Sequence, residues 1–311
     1  MNKISLLLVL VGCLVLGCTK QVSENNLQTE VYFSPETNLN EKLGEFMDSA
    51  NKTLHCALYD MSDEIAQKLV EKSKNVDVKL VMDDANKKLN GNAVKVDGNG
   101  LMHDKFCIID DKKVWTGSFN PTKTASLSDN NVLIIYSSYA AKDYSDEFFE
   151  MWNGNFKGGS RTKFQNILLN NKSYNIYFCP EDNCAEKLLK KLESAEKSIY
   201  FMAYSFTRKD FADVLIEKNE KGVDVKGIIE KQRVNESYGQ YNYLYEKIQL
   251  KADENKYLMH HKVFIIDEKI VATGSFNPTY GADKNNDENL IIIEDEKIAK
   301  LYLEEFDKLY Q

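Results

Sequence analysis

The chain has 311 residues, 43% of them hydrophobic, which is enough for a sizeable core or two packed domains. Its formal charge is −8, and loss of the first 17 residues would remove Lys3 and leave 39 basic against 48 acidic side chains. That balance argues against a nucleic-acid partner recognised over a broad basic face, though not against a local basic groove.

The chain opens with MNKISLLLVLVGCLVLGC, a short n-region with Lys3 followed by an apolar run. Such a run is short for a spanning helix and is expected to be a signal peptide, 1–17. Its Val15-Leu16-Gly17-Cys18 ending looks like a bacterial lipobox, which implies cleavage before Cys18 and lipidation of its thiol. A plain signal peptide with an incidental Cys is the alternative. Residues 18–29 are polar and without periodicity, and read as a tether. The expected location is extracytoplasmic, on a membrane-anchored bacterial lipoprotein.

From residue 30 the chain is written twice. Glu30-Val31-Tyr32-Phe33-Ser34-Pro35 matches Asn175-Ile176-Tyr177-Phe178-Cys179-Pro180. Helix-like stretches follow, Leu39 to Ala50 and Ala185 to Ala195, then strands Thr53 to Asp60 and Ser198 to Ser205. Second helices, Glu64 to Lys74 and Asp210 to Glu220, carry apolar residues at helical spacing (Ile65, Leu69, Val70; Phe211, Val214, Leu215). Val76 to Lys79 matches Val223 to Lys226, and Val132 to Tyr136 matches Leu290 to Ile293. Each half closes on a helix, Asp143 to Trp152 and Lys297 to Tyr310. Each half therefore reads βαβαβ-turn-ββα, an α/β unit. The predicted divisions are 30–155 for the first half, 156–172 for a polar connector and 173–311 for the second half. The second half carries extra residues around Ser237 to Tyr257, rich in Tyr. That stretch reads either as an aromatic loop able to bind a lipid or a base, or as a surface loop with packed tyrosines.

The strongest signal is a matched pair of segments. Leu101 to Thr122 reads LMHDKFCIIDDKKVWTGSFNPT, and Leu258 to Thr279 reads LMHHKVFIIDEKIVATGSFNPT. His103, Lys105 and Asp110 recur as His260, Lys262 and Asp267, and Gly117 to Asn120 recurs as Gly274 to Asn277. His and Lys two apart point to the same side of a strand. The apolar run that follows suits a buried strand, so both side chains are expected at one strand end. The Gly-Ser-x-Asn turn adds a hydroxyl and an amide beside them. An imidazole next to an ammonium and neutral donors suits an anionic phosphate. In-line displacement at phosphorus needs a group on each face, and two copies supply two.

The spaced HxKxxxxD motif followed by GSxN, present twice, resembles the phospholipase D superfamily, whose members place two such motifs around one active site. The resemblance covers both halves. It implies two similar α/β sandwich halves with mixed sheets, related by a pseudo-twofold axis, with the site at their interface. It also implies a two-step phosphodiester hydrolysis through a phosphohistidine. Lys105, Lys262, Asn120 and Asn277 would hold the non-bridging oxygens, with help from Ser118 and Ser275. No cofactor or metal is expected, because these donors replace the ion. Asp110 and Asp267 are read as structural or as supporting the site from behind. Glu288, in Asp287-Glu288-Asn289, lies where family members place an acid that orients a catalytic His; Asn130 stands opposite it in the first half. A carboxylate partner favours the Glu-supported His as nucleophile, and family analogy favours His103, the expectation adopted. His55 and His261 are read as structural, with His261 pointing away from the site. Cys56 and Cys107 are expected free and buried, and the spacing of Cys179 and Cys184 leaves a bridge open. The expected substrate is a phospholipid, handled by a monomer. An extracytoplasmic endonuclease is the second reading, and a non-catalytic binding lipoprotein the third.

Overall fold

A computed structural model describes residues 21–25, 28–97 and 100–311. The predicted signal segment and Cys18 lie outside the described residues. No described helix is long and apolar enough to cross a membrane.

After β1 (Val22–Glu24), the first half runs β2 (Thr29–Ser34), α1 (Leu39–Asp48), β3 (Thr53–Leu58), α2 (Asp63–Lys72), β4 (Asp77–Asp83), β5 (Val94–Asp97), β6 (Leu101–Met102), β7 (Lys105–Ile109), β8 (Lys113–Gly117), β9 (Asn130–Tyr136) and α3 (Ser138–Trp152). The second half follows β10 (Ile167–Leu169) with β11 (Lys172–Cys179), α4 (Cys184–Glu193), β12 (Ser198–Ala203), α5 (Lys209–Glu220), β13 (Asp224–Ile229), α6 (Tyr241–Leu244), β14 (Gln249–Ala252), β15 (Lys262–Ile266), β16 (Ile270–Gly274), α7 (Tyr280–Lys284), β17 (Asn286–Glu294) and α8 (Glu296–Tyr310).

The first sheet has the order β2-β9-β8-β7-β3-β4-β5, and β11-β17-β16-β15-β12-β13-β14 repeats it strand for strand. In both, the β-α-β crossovers make parallel pairs and the motif hairpins make antiparallel ones, so the sheets are mixed. This is the expected two-half α/β architecture.

Strand alternation explains how the halves dock. Phe106 and Ile108 face a core shared with Val263 and Ile265 of the other half, while Cys107 and Ile109 face α1 and α2. Phe264 and Ile266 likewise face α4 and α5. Each sheet is thus buried on both faces, which is why the motif strands read as unbroken apolar runs. The helices start where short polar side chains cap them: Asn38 accepts from the Glu41 N–H, Ser62 from Ile65 and Ser137 from Ala140.

Three details differ from the sequence expectations, and the packed tyrosines of the insertion agree with one of its two readings. The stretch read as a tether contains β1, which pairs in parallel with β10 inside the stretch read as a connector; both are annexed to the second sheet. Each half has an additional edge strand, β5 or β14. The Tyr-rich insertion forms α6 and packs on the second-half core through Leu244, Tyr241 and Tyr243.

Most consequentially, Cys56 and Cys107 are not free. They stand directly opposite each other on antiparallel β3 and β7 with Cα atoms 4.1 Å apart, and are joined as a disulfide. That close approach is the geometry of a non-hydrogen-bonded cross-strand pair, which only the register reveals. A second bridge joins Cys179 and Cys184 across the turn from β11 to α4. The Cys56→Ala/Cys107→Ala variant is expected to lose about 2–4 kcal/mol, read as a lower guanidinium midpoint than the oxidised parent.

Candidate active site

The two motifs meet at the mouth between the sheets, and each is gripped by the opposite half. The His103 N–H donates to the Asp287 carbonyl (3.0 Å), and the His260 N–H donates to the Asp129 carbonyl (2.8 Å). β6 pairs in parallel with the start of β17, and Met259 bridges to Asp129 in the same way. The head of each motif is therefore an added rung on the other half's sheet.

The side chains repeat the exchange. His103 Nδ1 lies 2.8 Å from Glu288 Oε2, and His260 Nδ1 lies 2.9 Å from Asn130 Oδ1. The Asn130 amide donates to the Ala125 and Ser128 carbonyls, so its oxygen is the atom turned to His260. Both imidazoles thus meet an acceptor at Nδ1. The proton sits there and the Nε2 lone pair is left for chemistry. The acid that steadies His103 comes from the second half, so the carboxylate argument and the N-terminal position select the same histidine.

Ser275 Oγ donates to Glu288 Oε2 (2.6 Å) and Ser118 Oγ donates to Asn130 Oδ1 (3.2 Å). Both hydroxyls were expected on the phosphate. The structure instead buries them completely and commits them to the groups that hold the histidines. Gly117 and Gly274 make these turns possible. At φ 149° and 135°, an added Cβ would come within 2.2 Å of the Asn131 carbonyl oxygen and 2.4 Å of that of Asn289.

Two ammonium groups flank the imidazoles. Lys105 Nζ donates to the His103 carbonyl, and Lys262 Nζ donates to the His260 carbonyl at 2.7 Å. Each lies over an aromatic face, Tyr59 at 5.1 Å and Tyr204 at 5.0 Å, and these rings also stand against His103 and His260. Tyr59 and Tyr204 escaped the sequence reading, although they occupy matched positions just past β3 and β12. Arg233 donates to the Tyr204 hydroxyl and breaks the symmetry on that side.

Burial, then Lys105 and Lys262, hold His103 well below the usual imidazole range. Burial, then Lys262, Lys105 and His103, do the same to His260. The four groups therefore feel one another, as groups around one anion must. Burial pushes Glu288 up to about 7, against the pull of Lys105, Ser275 and Asn286. Lys105 is lowered to about 8 by burial, with Glu288 and Asp104 opposing, and burial, then Lys105, holds Lys262 well below the usual ammonium range. Loss of these charges therefore begins more than two pH units below an ordinary lysine. We expect kcat/KM, which reports the free enzyme, to fall as pH rises through about 8. A bound anion restores the charge, so kcat is expected to decline at higher pH. An initial-rate pH series on Lys105→Arg, which keeps its proton, is expected to lose the part of this limb that Lys105 sets and to keep the part that Lys262 sets.

Asn120 and Asn277 end the turns, and Oδ1 of each is buried without a hydrogen-bond partner. Asn120 and His260 line a polar cavity of 360 Å³ with Asp60, Gln232, Lys256 and Tyr257. Asp110 and Asp267 are elsewhere. Asp110 accepts the N–H groups of Asn51, Lys52 and Thr53, and Asp267 those of Glu196, Lys197 and Ser198. Five strand residues, about 16 Å, separate them from the lysine end, so they do not support the histidines; they tie down the turns before β3 and β12. His261 points away from the site, bonded through Nδ1 to Asn131 Oδ1 at 3.0 Å. His55 on β3, opposite Ile108, stacks on Phe148 and takes no part in the site.

Two imidazoles and two buried ammonium groups converging from twin halves define a phosphodiester hydrolase. Residues 43–152 and 188–310 match the family described as "Cardiolipin synthase, PLD-like domain". The chain belongs to this family, within the phospholipase D superfamily. It is 36% identical over 137 residues to the phospholipase D of Rickettsia typhi, covering 44% of this chain and 67% of that one. It is 31% identical over 131 residues to the mitochondrial cardiolipin hydrolase of Canis lupus familiaris, covering 42% of this chain and 52% of the relative. The crystal structure of phosphatidylserine synthase from Haemophilus influenzae Rd KW20 superposes with a TM-score of 0.68 over 91% of this chain and 86% of that one; at 14% identity the likeness is one of fold.

Proposed function

We propose that this phosphodiesterase hydrolyses phospholipids without a metal ion, through a phosphohistidine on His103. The observation that carries the assignment is the contact between His103 Nδ1 and Glu288, which fixes the tautomer and raises the basicity of Nε2. Lys105 and Lys262 stabilise the charge on the non-bridging oxygens, with the Asn120 and Asn277 amides beside them. His103 Nε2 attacks phosphorus as the bond to the alcohol breaks. The anionic diester offsets the lysine charges and lets His260 carry a proton on Nε2, which passes to the departing oxygen. His260 Nε2 then takes a proton from water, the resulting oxygen attacks phosphorus, and His103 leaves neutral. Asn130 accepts the His260 Nδ1–H in both protonation states.

Phospholipid is favoured by the names of the relatives and by the acidic composition. Incubation with vesicles is expected to release phosphatidic acid and choline from phosphatidylcholine, and phosphatidic acid and phosphatidylglycerol from cardiolipin, while single-stranded DNA stays intact. Cleavage of DNA alone would replace this reading with the endonuclease, and silence on every substrate would replace it with a binding role.

The two lysines supply the positive charge that a divalent ion would otherwise bring. Turnover at 25 °C is therefore expected to be unchanged in EDTA, and loss of activity restored by one added ion would overturn that mechanism. We place the enzyme outside the cytoplasm on a lipid anchor at Cys18, on the lipobox-like sequence preceding it. Labelling with a palmitate analogue is expected to vanish in Cys18→Ala.

A further inference from the structure

Asp104 lies between His103 and Lys105, is fully buried, and takes no part in the chemistry described above. Its side chain runs into the interface between the halves, where Oδ1 accepts the Asn289 amide at 2.6 Å. That amide is held the same way round from its other end, since Thr116 Oγ1 (2.9 Å) and the Tyr144 hydroxyl (3.4 Å) donate to its oxygen. The Asn289 N–H donates to Ser275 Oγ (3.0 Å), Ser275 Oγ donates to Glu288 Oε2, and the same oxygen faces His103 Nδ1. An unbroken run of hydrogen bonds therefore leads from Asp104 back to the imidazole beside it. A second route goes through the main chain. The Asp104 carbonyl accepts the N–H of Tyr59 (3.0 Å), whose ring stands against His103 and Lys105.

The other half closes the same circuit with its polarity reversed. His261, between His260 and Lys262, meets Asn131 Oδ1 through Nδ1, and the Asn131 NH2 donates to Thr273 Oγ1 (2.8 Å) and the Tyr302 hydroxyl (3.0 Å). The Asn131 N–H donates to Ser118 Oγ, which donates to Asn130 Oδ1, the acceptor of His260. The His261 carbonyl accepts the Tyr204 N–H (2.9 Å). A carboxyl group and an imidazole differ in shape and volume. What they share here is a bond to the asparagine next to the group that holds a catalytic histidine.

We propose that Asp104 is a positioning residue for His103, acting through Asn289, Ser275 and Glu288 and through the main chain of Tyr59. The proposal rests on the reading of His103 as the nucleophile. Asp104 also carries charge. Facing it are Lys105 next to it, Asp287 and Glu288 of β17, Tyr144 and Glu147 of α3, and Glu181 after β11; of these only Lys105 is a base. Burial pushes Asp104 up to about 7, against the hydrogen bond from Asn289. Above that pH it is a carboxylate that helps Lys105 to keep its proton.

Two variants of the whole protein separate the hydrogen bond from the charge. Asp104→Asn keeps an acceptor for the Asn289 amide and loses the charge. On bis-p-nitrophenyl phosphate its alkaline limb in kcat/KM is expected at least about half a pH unit below the parent's, with the first-turnover burst of nitrophenol within about twofold. Asp104→Ala loses both, so the same limb shift is expected with a burst slowed about tenfold. Its His103 Nδ1–H proton resonance, assigned by its absence from His103→Asn, is expected to move upfield as the bond to Glu288 weakens. A lower Tm in both variants, with limb, burst and resonance unmoved, would make Asp104 a packing residue. A burst slowed equally in both would overturn the route through Asn289. If Asp104→Ala does not fold, the limb and burst of Asp104→Asn still decide. The resonance is read without turnover, so a resonance that moves beside an unchanged burst would count against His103 as nucleophile and leave the positioning role standing.

Discussion

His103→Asn is expected to lose at least about 10⁵-fold in kcat/KM on bis-p-nitrophenyl phosphate, because it deletes the atom that forms the covalent bond. The partner variant separates the roles. In His260→Asn, a substrate whose leaving group needs no proton still phosphorylates His103, but no base remains to activate water. Intact-mass spectrometry of His260→Asn after mixing is expected to show a stable phosphoryl adduct that the parent sheds and His103→Asn never forms. An adduct on His103→Asn instead would reverse the assignment. Neither variant threatens the fold, since each histidine's main-chain bond to the opposite half is untouched.

Glu288→Gln is expected to cost about 10²–10⁴ in kcat, by the same route as a mis-set tautomer in a catalytic triad. Both carboxylate oxygens are acceptors now: Oε2 faces His103 and Ser275, and Oε1 faces the Asn286 amide at 3.1 Å. In glutamine one of them becomes NH2. Turned to Asn286, it sets donor against donor. Turned to His103, it forces Nδ1 to accept and moves the proton to Nε2, which disarms the nucleophile. The loss is expected in the first step, so rapid-quench kinetics should show a slower burst, with dephosphorylation less affected. An unchanged burst rate would mean that Glu288 only fills space. Asn130 escapes this conflict because the Ala125 and Ser128 carbonyls receive its NH2, so an amide suffices for His260.

Much of this was legible in the chain. The duplicated motif, the order of helices and strands, and the burial of the motif strands followed from local period and from self-similarity. So did the identity of the histidines, lysines and terminal asparagines. Other features were not legible, and their causes are particular. Asp110 and Asp267 belong to the motif by spacing, but a fully extended strand carries them out of reach of the chemistry. The Gly-Ser turn promised hydroxyls to the phosphate, yet the chain folds back over each serine, and the Asn131 and Asn289 N–H groups donate to the two hydroxyls. Cys56 and Cys107 each sit in an ordinary apolar run, and no periodicity says that the two runs pair with these residues face to face.

What the sequence by itself determined is the pair of halves and the groups each contributes, because a strand or helix is set by side-chain period within a few residues. The docking of the halves decided which acid serves which histidine. β6 lies along β17, and Met259 along Asp129, so each imidazole is held by a side chain more than a hundred residues away. That choice depends on burying two sheet faces against each other, a cooperative contact between distant segments that leaves no local trace in the chain.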